Sequence, residues 1–137
     1  MKHLALAVVL LASVGMMDAL YLSLSHRAGP VPCHVTRGCN DVLSSRYSEI
    51  AGFPISWFGF AFYLTALSCG VFESTGTMGA LKLLFWPSVA AFAVSVGLVG
   101  IQAFVLRAFC EYCLLSAGLV TAVFGIVAFA RSKPQAL

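Results

Sequence analysis

The sequence predicts an all-α integral membrane protein: a four-helix transmembrane bundle with a short amphipathic cap helix in its first outer loop. Three observations carry that expectation. Of the 137 residues, 61% are hydrophobic and only 9% charged, whereas a soluble domain carries about 25% charged residues. A chain so poor in charge cannot cover a water-facing surface, so the bilayer is its solvent; the mean hydropathy is +0.97. Four long apolar stretches divide the chain, and a single long polar segment separates the first from the second. The net charge is +3, with the basic residues scattered singly, which excludes the basic stripe that nucleic-acid binding requires. The length supports one domain, residues 1–137.

The apolar stretches run over residues 4–25, 55–72, 83–106 and 110–130. At about 1.5 Å per residue each reaches roughly 27–36 Å, against a bilayer core of about 30 Å. They are read as helices, because open strands leave backbone groups unsatisfied in lipid. The first has a rival reading as a secretory signal peptide, since Lys2 and His3 precede LALAVVLLASVG. Its apolar run continues past Asp18 through ALYLSLS with no clean small-x-small cleavage site, so a retained helix is expected.

The loop 26–54 opens with Gly29, Pro30 and Pro32, which stop the first helix. Cys33, His34, Arg37, Gly38 and Cys39 follow. Beyond them NDVLSSRYSEIAG offers a capping residue, Asn40 or Asp41, and apolar side chains at Val42, Leu43, Tyr47 and Ile50. That spacing predicts a surface helix ended by Gly52. Pro54 sits at the mouth of the second helix, where its missing N–H costs nothing. The second connection, 73–82, is short and rich in Gly, Ser and Thr. Residues 107–109 must turn the chain, making helices three and four an antiparallel hairpin. Gly97 and Gly100 are expected to let helix three pack closely. Trp57, Phe58 and Trp86 fit an interfacial belt or helix packing.

Charge does not orient the chain. With a cytoplasmic amino terminus, Lys2, Lys82, Arg131 and Lys133 oppose Arg27, Arg37, Arg46 and Arg107. Parity is more informative. With four spans, the loops after helices one and three emerge on the same side, so Cys33, Cys39, Cys110 and Cys113 gather at one face of the membrane.

Cys110 and Cys113 form a C-x-x-C at a helix start. The i, i+3 spacing puts both sulfurs on one face, and a helix N-terminus stabilises the reactive thiolate. Cys33 and Cys39 enclose HVTRG in a solvent-facing segment, and an accessible disulfide there is labile or catalytic in character. His34 and Arg37 either favour the thiolate or are ordinary solvated residues. Two alternatives stand beside the redox reading: a zinc site built from the four cysteines, and two structural disulfides. Cys69, near the opposite end of helix two, reads as a small packing residue. Two dithiol pairs at a membrane edge define a relay from a soluble dithiol to a lipid-soluble two-electron acceptor, for which a quinone is the natural candidate.

Taken together, C-x5-C, CNDVLSSRY, GFPISWFGFAFY, the FCEYC opening the last helix and the YLSLSH ending the first resemble the vitamin K epoxide reductase family in its bacterial branch, over about residues 12–130. The resemblance implies a four-helix bundle around a quinone, whether ubiquinone, menaquinone or vitamin K. It also implies an active site at the periplasmic face of a bacterial inner membrane. Cys33 then resembles the cysteine that forms a mixed disulfide with a thioredoxin-fold thiol oxidase. Cys39 resembles the shuttle to Cys110, and Cys113 the cysteine facing the quinone. Ser45 matches a family serine in the cap helix that positions the cap or the quinone, or is a plain surface serine. Phe58 and Tyr63 are expected to border the quinone. Asp18 is an intramembrane carboxylate that lies near the quinone and its protons, or else bonds a neighbouring helix. Animal members carry an asparagine where Ile55 aligns and a tyrosine where Ala117 does, so quinone reduction is expected over epoxide reduction. No fused thioredoxin domain is present in the sequence, so the partner is expected to be a separate protein. The rivals are a vitamin K epoxide reductase proper and a non-enzymatic metal-binding membrane protein.

Overall fold

The computed structural model describes residues 2–28, 49–50, 53–76, 79–107 and 109–132. Cys33, Cys39 and Ser45 therefore lie outside the described residues, as does most of the segment expected to form the cap helix. Helix α1 spans Lys2–Ala28 and α2 spans Ile55–Ser74. A one-turn α3, Ala80–Leu83, leads into α4, Phe85–Gly100, which continues as a π-helical segment over Ile101–Leu106. Helix α5 covers Glu111–Ser132. Four of these stretches are long and apolar enough to cross a membrane: Lys2–Ser25, Ile55–Ser74, Phe85–Leu106 and Glu111–Ser132.

The expected bundle is thus present, with local corrections. Glu49–Ile50 (β1) pairs antiparallel with Phe53–Pro54 (β2), Glu49 facing Pro54 and Ile50 facing Phe53. The surface helix expected to run to Gly52 therefore does not include Glu49 or Ile50. Helix three, expected unbroken from residue 83, is interrupted at Leu84. Glu73, expected in a polar connection, belongs to α2 and is buried. Its Oε2 accepts the N–H groups of Ala80 (2.9 Å) and Leu81 (3.4 Å), satisfying donors that a helix start leaves orphaned.

The core is a seam of small residues. Ala5, Val8, Ala12 and Ala19 of α1 recur at helical spacing and meet Tyr63 and Ala66 of α2 and Val120, Val123, Val127 and Ala130 of α5. Without a hydrophobic drive between helices in lipid, small side chains that allow close approach are what hold such a bundle together. Gly15 shows the principle. A Cβ there would lie 2.5 Å from the Cδ1 and Cζ atoms of Tyr63, so the tyrosine ring occupies the space the glycine leaves. Gly70 does the same against Val9 and the Ala5 carbonyl. Gly97 and Gly100, by contrast, have nothing among the described residues within 4 Å of where a Cβ would be, so they make no close approach there.

Large apolar side chains point outward, among them Leu10, Met17, Leu24, Leu64, Phe72 and Phe104. In water they would be a liability; in the hydrocarbon core they face their own solvent. At the opposite end from the cysteine pair, the Arg131 guanidinium lies 4.1 Å over the Phe85 ring and 5.7 Å from that of Trp86, a cation–π contact suited to an interfacial position.

Candidate functional site

The last π-helical turn sets up the site. The Arg107 N–H bonds to the Gln102 carbonyl five residues back, and Arg107 itself takes a left-handed conformation (φ 50°). This non-glycine residue in the left-handed region reverses the chain between the third and fourth spans within a few residues. Cys110 then precedes α5, its carbonyl accepting the Leu114 N–H at 2.9 Å. It is the capping residue, not the first helical one as expected, and Cys113 is the third residue of the helix.

That placement explains the chemistry of Cys110. Its thiol is fully buried and is drawn below its ordinary range chiefly by the hydrogen bond from the Cys113 thiol. The backbone N–H groups of Cys113 and Tyr112 act in the same direction, while burial and the Asp18 carboxylate oppose them. Those amide donors are the ones a capping side chain satisfies. Neither cysteine is disulfide-bonded in this structure.

Cys113 faces a cavity of about 440 Å³ lined almost entirely by apolar side chains, a volume in the range of small-molecule sites. Its wall is built by α1 (Asp18, Leu22), α2 (Ser56, Phe58, Phe62), α4 and the π segment (Val94, Gln102), and α5 (Cys113, Ser116). Of the expected site residues, Asp18, Phe58 and Cys113 meet in this wall. Asp18 is 8% exposed, and its Oδ2 is buried with no hydrogen-bond partner among the described residues. Tyr63, expected at the border, stands one layer behind: it is absent from the wall, fully buried against Gly15, and its hydroxyl bonds the Ser116 carbonyl (2.9 Å) and Oγ (2.8 Å). Ser23 Oγ, 2.8 Å from Ser56 Oγ, ties α1 to α2 in the same way.

The carboxyl end of α1 lies beside this site. Tyr21 and Tyr112 stack obliquely with ring centroids 5.4 Å apart. The loop that carries Cys33 and Cys39 thus leaves α1 at the end of the bundle where Cys110 and Cys113 sit. Cys69 packs against the core of the bundle, on the half of α2 remote from the cavity's dithiol.

The family model for the Vitamin K epoxide reductase family matches residues 6–128. The chain belongs to that family. Membership makes it a multi-pass membrane oxidoreductase of a family associated with quinones and thioredoxin-fold partners. Within this family member the described residues place Cys113 in the wall of a largely apolar cavity between the spans, with Cys110 at the start of the same helix. Gln102 is a polar wall residue that sequence reasoning missed. It is 2% exposed, and its Oε1 accepts the Cys110 N–H at 3.0 Å. The available signal was a lone polar side chain in the apolar run IQAFVL, the same kind of signal that singled out Asp18.

Proposed function

We propose that this protein passes electrons from the dithiol of a separate thioredoxin-fold thiol oxidase, through Cys33 and Cys39 and then Cys110 and Cys113, to a membrane quinone, sustaining disulfide formation in exported proteins. The observation that carries the reading is Cys113 in the wall of a largely apolar cavity between the membrane-spanning helices, with Cys110 at the start of the same helix. A lipid-soluble acceptor reaches such a cavity and a water-soluble one does not. The cavity residues fit a quinone: an apolar enclosure for the ring, Phe58 beside it, and polar groups at the dithiol end.

The quinone supplies a sink for two electrons and two protons. Cys110 and Cys113 give up two electrons and two thiol protons as their S–S bond forms. Cys39, as thiolate, attacks Cys110 and restores the Cys113 thiol. Cys33 resolves the resulting mixed disulfide with Cys39 and then receives the partner's thiolate. The Asp18 carboxyl, whose Oδ2 has no partner among the described residues, holds or passes a proton at the acceptor's oxygen. Ser45, which lies outside the described residues, positions the cap or the quinone. All 137 residues act as one domain, in a bacterial inner membrane with the cysteines at the periplasmic face. Ile55 and Ala117 both line the cavity and neither can donate a proton, which favours quinone reduction over epoxide reduction.

Mass spectrometry of cells carrying Cys39→Ser tests the outer half of the relay. The variant should accumulate a mixed disulfide between Cys33 and a thioredoxin-fold protein. Full turnover in a Cys110→Ala variant would overturn the proposal.

A further inference from the structure

We propose that Gln102 is a catalytic hydrogen-bond donor, its Nε2 amide group meeting a carbonyl oxygen of the quinone as that oxygen gains electron density. This rests on reading the cavity as a quinone site. The first support is the direction of the side chain. Gln102 lines the cavity and is almost wholly buried. The atom it turns to the Cys110 nitrogen, 3.0 Å away, must be Oε1, because a backbone N–H only donates. Chemistry thus fixes the orientation of the amide, and the two hydrogens on Nε2 remain as its donors.

The second support is the state of the other hydroxyls in the wall. Thr65 Oγ1 donates to the Ala61 carbonyl at 2.9 Å. Ser116 Oγ is paired with the Tyr63 hydroxyl at 2.8 Å, whereas Ser56 Oγ accepts from Ser23 Oγ at 2.8 Å and keeps its own hydrogen as a rotatable donor. Ser95 is seven residues before Gln102, on the order of 10 Å deeper along the helix. Asp18 is the proton carrier of the reading above and donates only when protonated. Among the described wall residues Gln102 thus supplies the side-chain amide donor that is held in a fixed orientation and not used by another protein group.

The third support is rigidity. A donor stabilises developing charge best when it is held in place beforehand. Gln102 is held at both ends of its own residue: its carbonyl takes the Arg107 N–H in the π turn, and its Oε1 takes the Cys110 N–H. The second bond ties the donor directly to the backbone of a reacting cysteine, so donor and dithiol keep one geometry. The π turn, a feature that recurs at functional sites, sets the register of Gln102 against Cys110.

The test uses the full chain in lipid nanodiscs with a short-chain ubiquinone bearing one isoprene unit as the probe. Binding is read from quenching of Trp57 and Trp86 fluorescence. The chain has two glutamines, Gln102 and Gln135, so glutamine-selective 15N labelling gives two side-chain amide groups in the spectrum. On saturation one proton of the Gln102 amide should move downfield while Gln135 stays still. Gln102→Met should weaken quinone binding about 3- to 10-fold. Gln102→Glu, which keeps an acceptor for the Cys110 N–H, should preserve the melting temperature and at alkaline pH lose comparable affinity. Quenching with an unmoved Gln102 amide would overturn the assignment, and so would wild-type affinity in Gln102→Met. No quenching in the wild type would instead refute the quinone reading of the cavity. The spectrum is taken on the wild-type chain, so it is decisive even where a variant does not fold.

Discussion

Adding one methyl group at Gly15 should damage this bundle more than a surface change, by an amount the geometry sets. In Gly15→Ala the new Cβ would stand 2.5 Å from Tyr63 Cδ1 and Cζ, where ordinary contact begins at 3.4 Å. The Cε1 atom stands closer still, so the ring must retreat by at least 0.9 Å, the difference between those two distances. Its hydroxyl now sits 2.9 Å from the Ser116 carbonyl and 2.8 Å from Ser116 Oγ, and a shift of that size carries both bonds beyond useful length. Overpacking costs about 1–3 kcal/mol and the lost hydrogen bonding about 1 kcal/mol net. The expected destabilisation is therefore about 2–4 kcal/mol, measured by equilibrium unfolding in detergent micelles. The decisive comparison is the same substitution in a Tyr63→Leu background, where no ring stands in the way. There Gly15→Ala should be nearly neutral or stabilising, since alanine favours a helix over glycine by up to about 1 kcal/mol. An equal cost in both backgrounds would refute the reasoning.

Glu73→Ala removes the acceptor for the Ala80 and Leu81 N–H groups and should cost about 1–2 kcal/mol of stability with kcat unchanged at saturating quinone, as read by thermal melts and steady-state assays. Asp18→Asn keeps the size of a buried, unpartnered side chain while removing its ability to release a proton; it should leave stability unchanged or raised and slow quinone reduction at least tenfold. Iodoacetamide labelling of Cys110 should show a midpoint below that of a free thiol, because the bond from Cys113 stabilises the thiolate. As pH falls through that midpoint, reactivity is lost. Cys113→Ala should move the midpoint to higher pH, and an unmoved profile would show that Cys113 does not tune Cys110.

The spans were legible because hydropathy over about twenty residues reports directly on the solvent, and parity then placed the late cysteine pair at the carboxyl end of α1, where Tyr21 meets Tyr112. What stayed hidden depends on register. A π turn differs from an α turn by one residue and has no composition of its own, so nothing in IQAFVL announced that Gln102 would reach back to Cys110. Apolar helices that are hydrophobic all round also carry no periodic signal for which face lines a cavity. Tyr63 and Phe58 looked alike in sequence, yet one is in the core and the other in the wall. Gly97 and Gly100 looked like packing positions, whereas Gly15 and Gly70 make the close approaches, because what matters is the residue opposite. The break at Leu84 and the burial of Glu73 share a cause: a carboxylate seven residues upstream that caps a short turn is a non-local fact.

The most direct measurement is a single-turnover reaction of protein carrying Cys33→Ser and Cys39→Ser. With Cys110 and Cys113 reduced beforehand and excess reductant removed, it is mixed with a short-chain ubiquinone. One quinol should form per protein, with Cys110 and Cys113 recovered as a disulfide. Failure to form quinol while the quinone is bound, or quinol formation that leaves both thiols free, would contradict electron transfer from the cavity dithiol.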